Sequence, residues 1–290
     1  LLVVSHTDQD HISGILKIFS DNQIDKKIFN NIWFNSGEII SKHLDVLVNP
    51  ETLIKVEDKQ TQMSIREGIT FESKLMQTKS WYRNLILNDE IFYINDIKIS
   101  ILSPDIETLE KFLINWEVEE SKMTEMSDSR DYEYSIDELV TNKFIEDSRL
   151  PNRTSIAFLI EYKTKKMLML ADSHPSIIEK SLRNLGYSEI NKLIVDIVKV
   201  AHHGSKFNTN DALLAIIDCK NFVVSTNASN HGFPHKECLA RIVKSTENNI
   251  TFYFNYKNIH TNGIFTDEEK EKYGITLRYL DEDLNYLVEV

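Results

Sequence analysis

Ser5-His6-Thr7-Asp8-Gln9-Asp10-His11 places two imidazoles and two carboxylates within six residues, directly after the apolar run Leu1-Leu2-Val3-Val4. Imidazole nitrogen and carboxylate oxygen together suit a divalent cation. Once the run gives way to a turn, His6, Asp8 and Asp10 can converge on one side, and His11, following Asp10 directly, enters from another angle. That is more than one ion needs. Two ions a few Å apart, sharing a carboxylate supplied from elsewhere, would use all four groups, an arrangement suited to hydrolysing phosphoesters. The plain alternative is that Asp8 or Asp10 caps a helix beginning near His11 and running through Ile15, Leu16, Ile18 and Phe19. Capping needs one carboxylate, not a cluster.

Three later segments deliver chemistry in the same way, at the ends of apolar runs. Ile156 to Tyr162 and Met167 to Asp172 read as a hairpin whose second strand ends on a carboxylate, which taken alone is most often a turn residue. Leu193 to Val200 reads as a strand ending in Ala201-His202-His203-Gly204-Ser205. Consecutive strand residues point to opposite faces, so both histidines can ligate only if the strand has already ended. One would bind metal while the other orients a carboxylate or contacts a phosphate. Phe222 to Asn227 is a further strand with a polar end, followed by His231, Phe233, Pro234 and His235.

In this order the motifs resemble those of metallo-β-lactamase-fold hydrolases. His6-x-Asp8-x-Asp10-His11, with Asp8 where the family usually has a second histidine and Ile12-Ser13-Gly14 following, is similar to the hydrolase domain of the DNA-uptake protein ComEC and its soluble relatives. The resemblance runs from residue 1 to about residue 245, and Val198 to Ser205 is among its closest stretches. It implies an α/β fold, the αββα sandwich, with upstream strands of the first sheet absent from this chain. The expectation is therefore a fragment of a longer protein, or a fold completed by a partner or by a missing N-terminal segment.

The resemblance also assigns roles. Asp172 stands where the family's bridging aspartate follows a glycine, here Ala171. His6, Asp8 and Asp172 would hold the first ion, and Asp10, His11, Asp172 and one of His202 or His203 the second. No histidine occurs between His43 and His174 to act as a third ligand; Asn152, with Ser155, matches an Asn-x-x-Ser of the ComEC-like sequences. Such an oxygen-rich set suits Zn²⁺ or Mn²⁺, and Mg²⁺ as well. Phe233 replaces the first histidine of a His-Pro-His or His-Pro-Asp motif: either His231 or His235 substitutes for it, or the site lacks a substrate-contacting or acid group and is slow or altered in specificity. Asp10, His203 and His235 are the candidate catalytic residues, and Ser205, Asn227 and His231 the candidate substrate contacts.

The elements that must position these residues read as one domain over 1–290, with an acidic insertion at about 117–149 that is solvated or serves as a lid or docking element. Helices are expected at Glu38 to Leu47, Gln60 to Gln77, after Asp105 and at Glu237 to Val243, a hairpin of strands at Ile91 to Ile94 and Ile97 to Leu102 about Asn95-Asp96, and further strands at Lys27 to Asn35, Thr251 to Tyr256, Gly263 to Thr266 and Thr276 to Leu280. A net charge of −12 argues against a broad basic surface for nucleic acid, although bound ions would make the centre itself electropositive. Cys219 and Cys238 form no disulfide or zinc pattern, and no run approaches the ~20 apolar residues of a bilayer helix, so a cytoplasmic protein with no membrane contact is expected.

The chemistry that fits is attack of a metal-activated water on phosphorus: a metal-dependent phosphodiesterase or nuclease acting on nucleic acid or another phosphodiester. Two alternatives remain at this stage. One is an acyl hydrolase acting on a lactone, thioester or lactam; the other is a regulatory or conditionally active subunit of a multi-protein bacterial defence complex. A serine nucleophile lacks its G-x-S-x-G motif.

Overall fold

Short apolar runs alternating with amphipathic stretches give a mixed α/β chain, and the computed structural model describes residues 1–45, 59–115, 130–229, 231–246 and 249–280. In chain order its elements are β1 (Leu2–Val3), α1 (Gln9–Ser20), β2 (Ile32–Trp33), α2 (Gly37–Leu44), α3 (Lys59–Leu75), β3 (Ile91–Ile94), β4 (Ile97–Ser103), α4 (Ile106–Asn115), α5 (Ile136–Leu139) and α6 (Leu150–Arg153). There follow β5 (Ala157–Tyr162), β6 (Lys165–Met169), α7 (Pro175–Asn184), β7 (Leu193–Ile194), β8 (Ile197–Lys199), α8 (Asp211–Ala215), β9 (Ile217–Asp218), β10 (Asn221–Val224), α9 (Lys236–Ser245), β11 (Ile250–Phe254), α10 (Ile259–Asn262), α11 (Asp267–Tyr273) and β12 (Ile275–Tyr279). No helix among the described residues is long and apolar enough to cross a membrane.

The chain divides into two compact units, each with its own core. The first comprises Leu1–Glu90, Ser103–Met123 and Arg149–Ile156. Ile12, Ile15, Leu16 and Phe19 recur at helical spacing on α1 and pack with Phe34, Phe71 and Leu75; the Phe71 ring meets Phe19 and Phe34 edge-on, with both centroids 5.2 Å away. β1 lies parallel to β2, Leu2 opposite Ile32 and Val3 opposite Trp33. This pairing fixes the direction in which the chain enters the His6 to His11 turn. That turn rests on α3, where a Cβ on Gly68 would stand 2.9 Å from the Thr7 methyl.

The second unit, Ile91–Leu102, Thr124–Ser148 and Ala157–Val290, carries an eight-stranded sheet in the order β12-β11-β10-β8-β6-β5-β4-β3. From β6 to β12 the neighbours are parallel, whereas β5 runs antiparallel to β6 and β3 to β4. Leu168, Val198, Phe222, Val224, Phe252 and Phe254 are buried in its core with Leu239 and Ile242 of α9. Ligand sites of parallel sheets lie beyond the carboxyl ends of their strands. Asp172 follows β6, His202 and His203 follow β8, and Ser225 to Asn227 follow β10, so neighbouring strands deliver them to one edge.

Four expectations change. Only Ile32–Trp33 of the Lys27 to Asn35 run is strand, because Lys26–Ile28 is a 3-10 turn with Asp25 as its cap. Leu193 to Val200 is two strands in different sheets: Val195 N–H bonds to Asp218 O, while the Asp196 carboxylate takes Lys166 N–H at 2.8 Å, and the chain changes partner there. Gly263 to Thr266 is not a strand; Asn258 and Thr261 form a capping box that starts α10, and Thr266 caps α11. The acidic stretch, of which 117–129 lie outside the described residues, is not a solvated appendage over 130–148. Ile136 and Leu139 belong to the core, and the Asp131 carboxylate accepts the N–H groups of Lys236 and Glu237 at the start of α9, at 2.8 and 2.9 Å.

Candidate metal centre

In the first unit, Asp8 occupies the N-cap position of α1, yet its side chain makes no capping hydrogen bond. The carboxylate turns instead to Arg149, whose Nη2 donates to Oδ2 at 3.1 Å, while Oδ1 is buried and accepts no hydrogen bond. A buried carboxylate oxygen without a donor favours a cation. His6, 3% exposed, directs Nε2 at the same carboxylate, 3.8 Å from Oδ2. Its Nδ1 is engaged by Ser5 Oγ at 3.1 Å and by Ser155 Oγ at 3.2 Å, the latter supplied by the turn after α6.

Ser5 Oγ also meets His11 Nδ1 at 3.2 Å, and the two imidazole centroids lie 4.3 Å apart. With both Nδ1 atoms protonated the hydroxyl oxygens accept all three bonds, and each ring carries its lone pair on Nε2, the orientation a ligating histidine requires. Asp10 remains on the surface, its side chain 60% exposed, with Oδ2 3.8 Å from His11 Nε2. Potential ligand atoms of His6 and His11 lie within 4.8 Å of one another, as do those of Asp10 and His11.

In the second unit the chain leaves β8 and immediately turns through Ala201–Gly204, with His202 and His203 both in the left-handed region at φ 43° and 55°. The strand has therefore ended before the histidines, and the opposite-face objection to a shared role no longer applies. His203 Nδ1 lies 2.5 Å from Ser225 O, an acceptor only, so this nitrogen carries the proton and the ring lone pair is on Nε2. His202 lies between two carboxylates, with Nε2 3.7 Å from Asp172 Oδ2 and Nδ1 3.5 Å from Asp147 Oδ2. Burial opposes its charged form, but Asp172 and Asp147 outweigh that effect and raise its pKa to about 9. Asp172 is 2% exposed. The residue before it, Ala171, has φ 47°, a left-handed conformation that costs an alanine about 1 kcal/mol.

The remaining candidates separate by burial. His235 is buried, its Nδ1 accepts the Lys206 N–H at 3.3 Å, and burial followed by the Lys206 charge lowers its pKa to about 4. It is thus a neutral ring with its proton on Nε2, a hydrogen-bond donor rather than an imidazolium acid. Phe233 sits among the histidines, its centroid 5.0 Å from that of His202 and 5.2 Å from that of His235. Ser205 is fully buried and its hydroxyl accepts Phe207 N–H at 3.2 Å, a turn role rather than a presented contact. Asn227 and His231 are exposed, the former with Oδ1 on Ser229 N–H at 3.0 Å. Burial pushes the Cys219 thiol up to about 11 and that of Cys238 to about 12, so neither offers a thiolate at neutral pH.

Sequence reasoning missed Arg149, Asp147, His174 and Asn208. His174 is 1% exposed at the start of α7, and its place two residues after Asp172 was an available signal; the other three stand in no motif. No family model and no curated protein matches the chain. The donor chemistry nevertheless fits a metal: buried His and Asp side chains, His6, Asp8, Asp172 and His202 among them, are of the types that could hold an ion.

The His202-His203 turn is held by a close approach. Gly204, at φ +83°, would place a Cβ 2.7 Å from Pro234 Cβ. Gly204→Ala is expected to destabilise the fold by about 2 to 4 kcal/mol, combining the left-handed backbone cost with overpacking against a rigid ring. Urea unfolding checks this, and a loss under about 1 kcal/mol would show that the approach is not tight.

Proposed function

We propose that this protein is a metal-dependent hydrolase of phosphodiester bonds, a phosphodiesterase or nuclease with the metallo-β-lactamase αββα fold of the ComEC-like subgroup, working in the cytoplasm. The motif order implies His6, Asp8, Asp10, His11, Asp172, His202 and His203 as ligands of two divalent ions, Zn²⁺ or Mn²⁺, with Mg²⁺ also compatible. One observation carries this reading. Four imidazoles are engaged through Nδ1 by oxygen atoms: His6 by Ser5 and Ser155, His11 by Ser5, His202 by Asn208 and His203 by Ser225. Ligating histidines are oriented in this way, through Nδ1, with Nε2 left to face an ion.

Paired divalent ions would offset charge on the phosphoryl oxygens and bring the pKa of a water toward neutrality. The protein's own groups do the rest. His203 is oriented by the Ser225 carbonyl, and His235, neutral with its proton on Nε2, donates a hydrogen bond to a phosphoryl or leaving-group oxygen. Phe233, 5% exposed, keeps water from the histidine rings around it. Carboxylates at Asp8, Asp10 and Asp172 favour hard ions and hence anionic phosphoester substrates over neutral acyl groups.

The test compares substrates in Mn²⁺ and in Zn²⁺. Cleavage of bis-p-nitrophenyl phosphate and plasmid DNA that stops on chelation, with nitrocefin and acyl-lactones untouched, is the expected pattern. The reverse pattern assigns an acyl hydrolase, and turnover of neither class removes the catalytic reading.

A further inference from the structure

The acidic stretch supplies a carboxylate that neither the motifs nor the proposed ligand set includes. Asp147, whose side chain is 8% exposed, places Oδ2 3.5 Å from His202 Nδ1, 3.8 Å from His174 Nε2 and 3.2 Å from Asn208 Nδ2. Asn208 is fully buried, and its amide nitrogen also donates to Asp172 O at 3.2 Å and to Ser173 O at 3.4 Å. Three acceptors around the nitrogen leave the amide only one orientation, with Oδ1 on His202 Nδ1 at 2.9 Å. An amide oxygen only accepts, so His202 carries a proton on Nδ1, and Nε2 is the atom that faces Asp172. At 3.7 Å that separation is too long for a direct hydrogen bond and suits two donors to one ion.

The segment is anchored on both sides of the pair it serves. Asp147 N–H bonds to Phe207 O at 2.9 Å, in the turn after His202. Glu146 accepts Ser176 N–H at 2.9 Å and the Ser176 hydroxyl at 3.0 Å, at the start of the helix that follows Asp172.

We infer that Asp147 is a positioning residue for His202: by fixing the Asn208 amide and standing beside Nδ1, it holds the imidazole with Nε2 toward Asp172 and so sets the affinity of this ligand pair for a divalent ion. This rests on the metal-dependent function proposed above. Carboxylates placed behind ligating histidines are worth about ten- to a hundredfold in metal affinity.

The experiment measures Zn²⁺ affinity by chelator competition, and the visible spectrum of the Co²⁺-loaded protein, for wild type, Asp147→Asn, Asp172→Asn and the exposed-charge control Glu133→Gln. Asp147→Asn is isosteric and keeps an acceptor, so the fold is retained; circular dichroism and melting confirm it. The expected result is a Zn²⁺ affinity lowered by about ten- to a hundredfold and a displaced Co²⁺ band, with Glu133→Gln unchanged. Affinity within about threefold of wild type and an unmoved band would overturn the assignment while Asp172→Asn still abolished binding. A wild type that binds neither ion would overturn the metal reading and this inference together.

Discussion

Asp172→Asn is expected to remove tight binding of divalent metal and to lower phosphodiester hydrolysis by on the order of a thousandfold or more, with little change in fold. The substitution replaces one oxygen with an amide nitrogen at a site 2% exposed, so shape is conserved while charge and one ligand are lost. Asp172 follows β6 and faces His202 from the neighbouring strand end, the place at which a carboxylate can serve more than one ion. A simple turn residue would behave differently. If the carboxylate only shaped the turn after β6, the asparagine would change stability slightly and leave metal content as it was. Titration of Zn²⁺ or Mn²⁺ into both proteins, with turnover of bis-p-nitrophenyl phosphate alongside, separates the two.

Glu269→Gln is expected to cost about 3 to 5 kcal/mol of stability. Lys236 is 1% exposed, and its ammonium meets Glu269 Oε2 at 2.9 Å. The same carboxylate takes the N–H groups of Ile136 at 3.0 Å and Thr266 at 2.9 Å. Glutamine leaves a buried cation without its anion, and at about 2 to 4 °C per kcal/mol the melting temperature falls by roughly 10 °C. Lys236→Met is expected to cost less, because the stranded carboxylate keeps two backbone donors. The double variant should recover part of the loss. The effect has a defined pH window. Burial raises the Glu269 carboxyl, but Lys236 and the backbone donors outweigh it and hold it below the ordinary carboxylate range. A lowered folded value means stability that is in place above that range and is lost as pH falls through the lowered value. Wild type and Glu269→Gln should therefore converge in acid; a gap that persisted there would contradict the ion pair as its cause.

What could be read in the sequence is what periodicity and strand ends reveal. Ile12, Ile15, Leu16 and Phe19 announce α1, and the apolar runs before Asp172 and before His202-His203 announce strands that end on ligand-type residues. Local spacing could not show which carboxylate does what. Asp8 could also be read as a cap, and it took the Arg149 guanidinium, 141 residues away, to show where its charge is answered. The acidic stretch read as solvated because acidic residues dominate it. Yet Asp131 caps α9 from 105 residues upstream, and Asp147 reaches the back of His202; both contacts are long-range and leave no periodic trace. The split of Leu193 to Val200 follows from Asp196 binding two neighbouring groups, a choice of partner that composition does not encode.

The most direct test of the central claim is the metal content of the purified chain after loading with Mn²⁺ or Zn²⁺ and removal of excess ion, measured by mass spectrometry beside Asp172→Asn. The account predicts about two ions per wild-type chain and a marked loss in the variant, with diester cleavage tracking occupancy. Equal, substoichiometric metal in both proteins would contradict it.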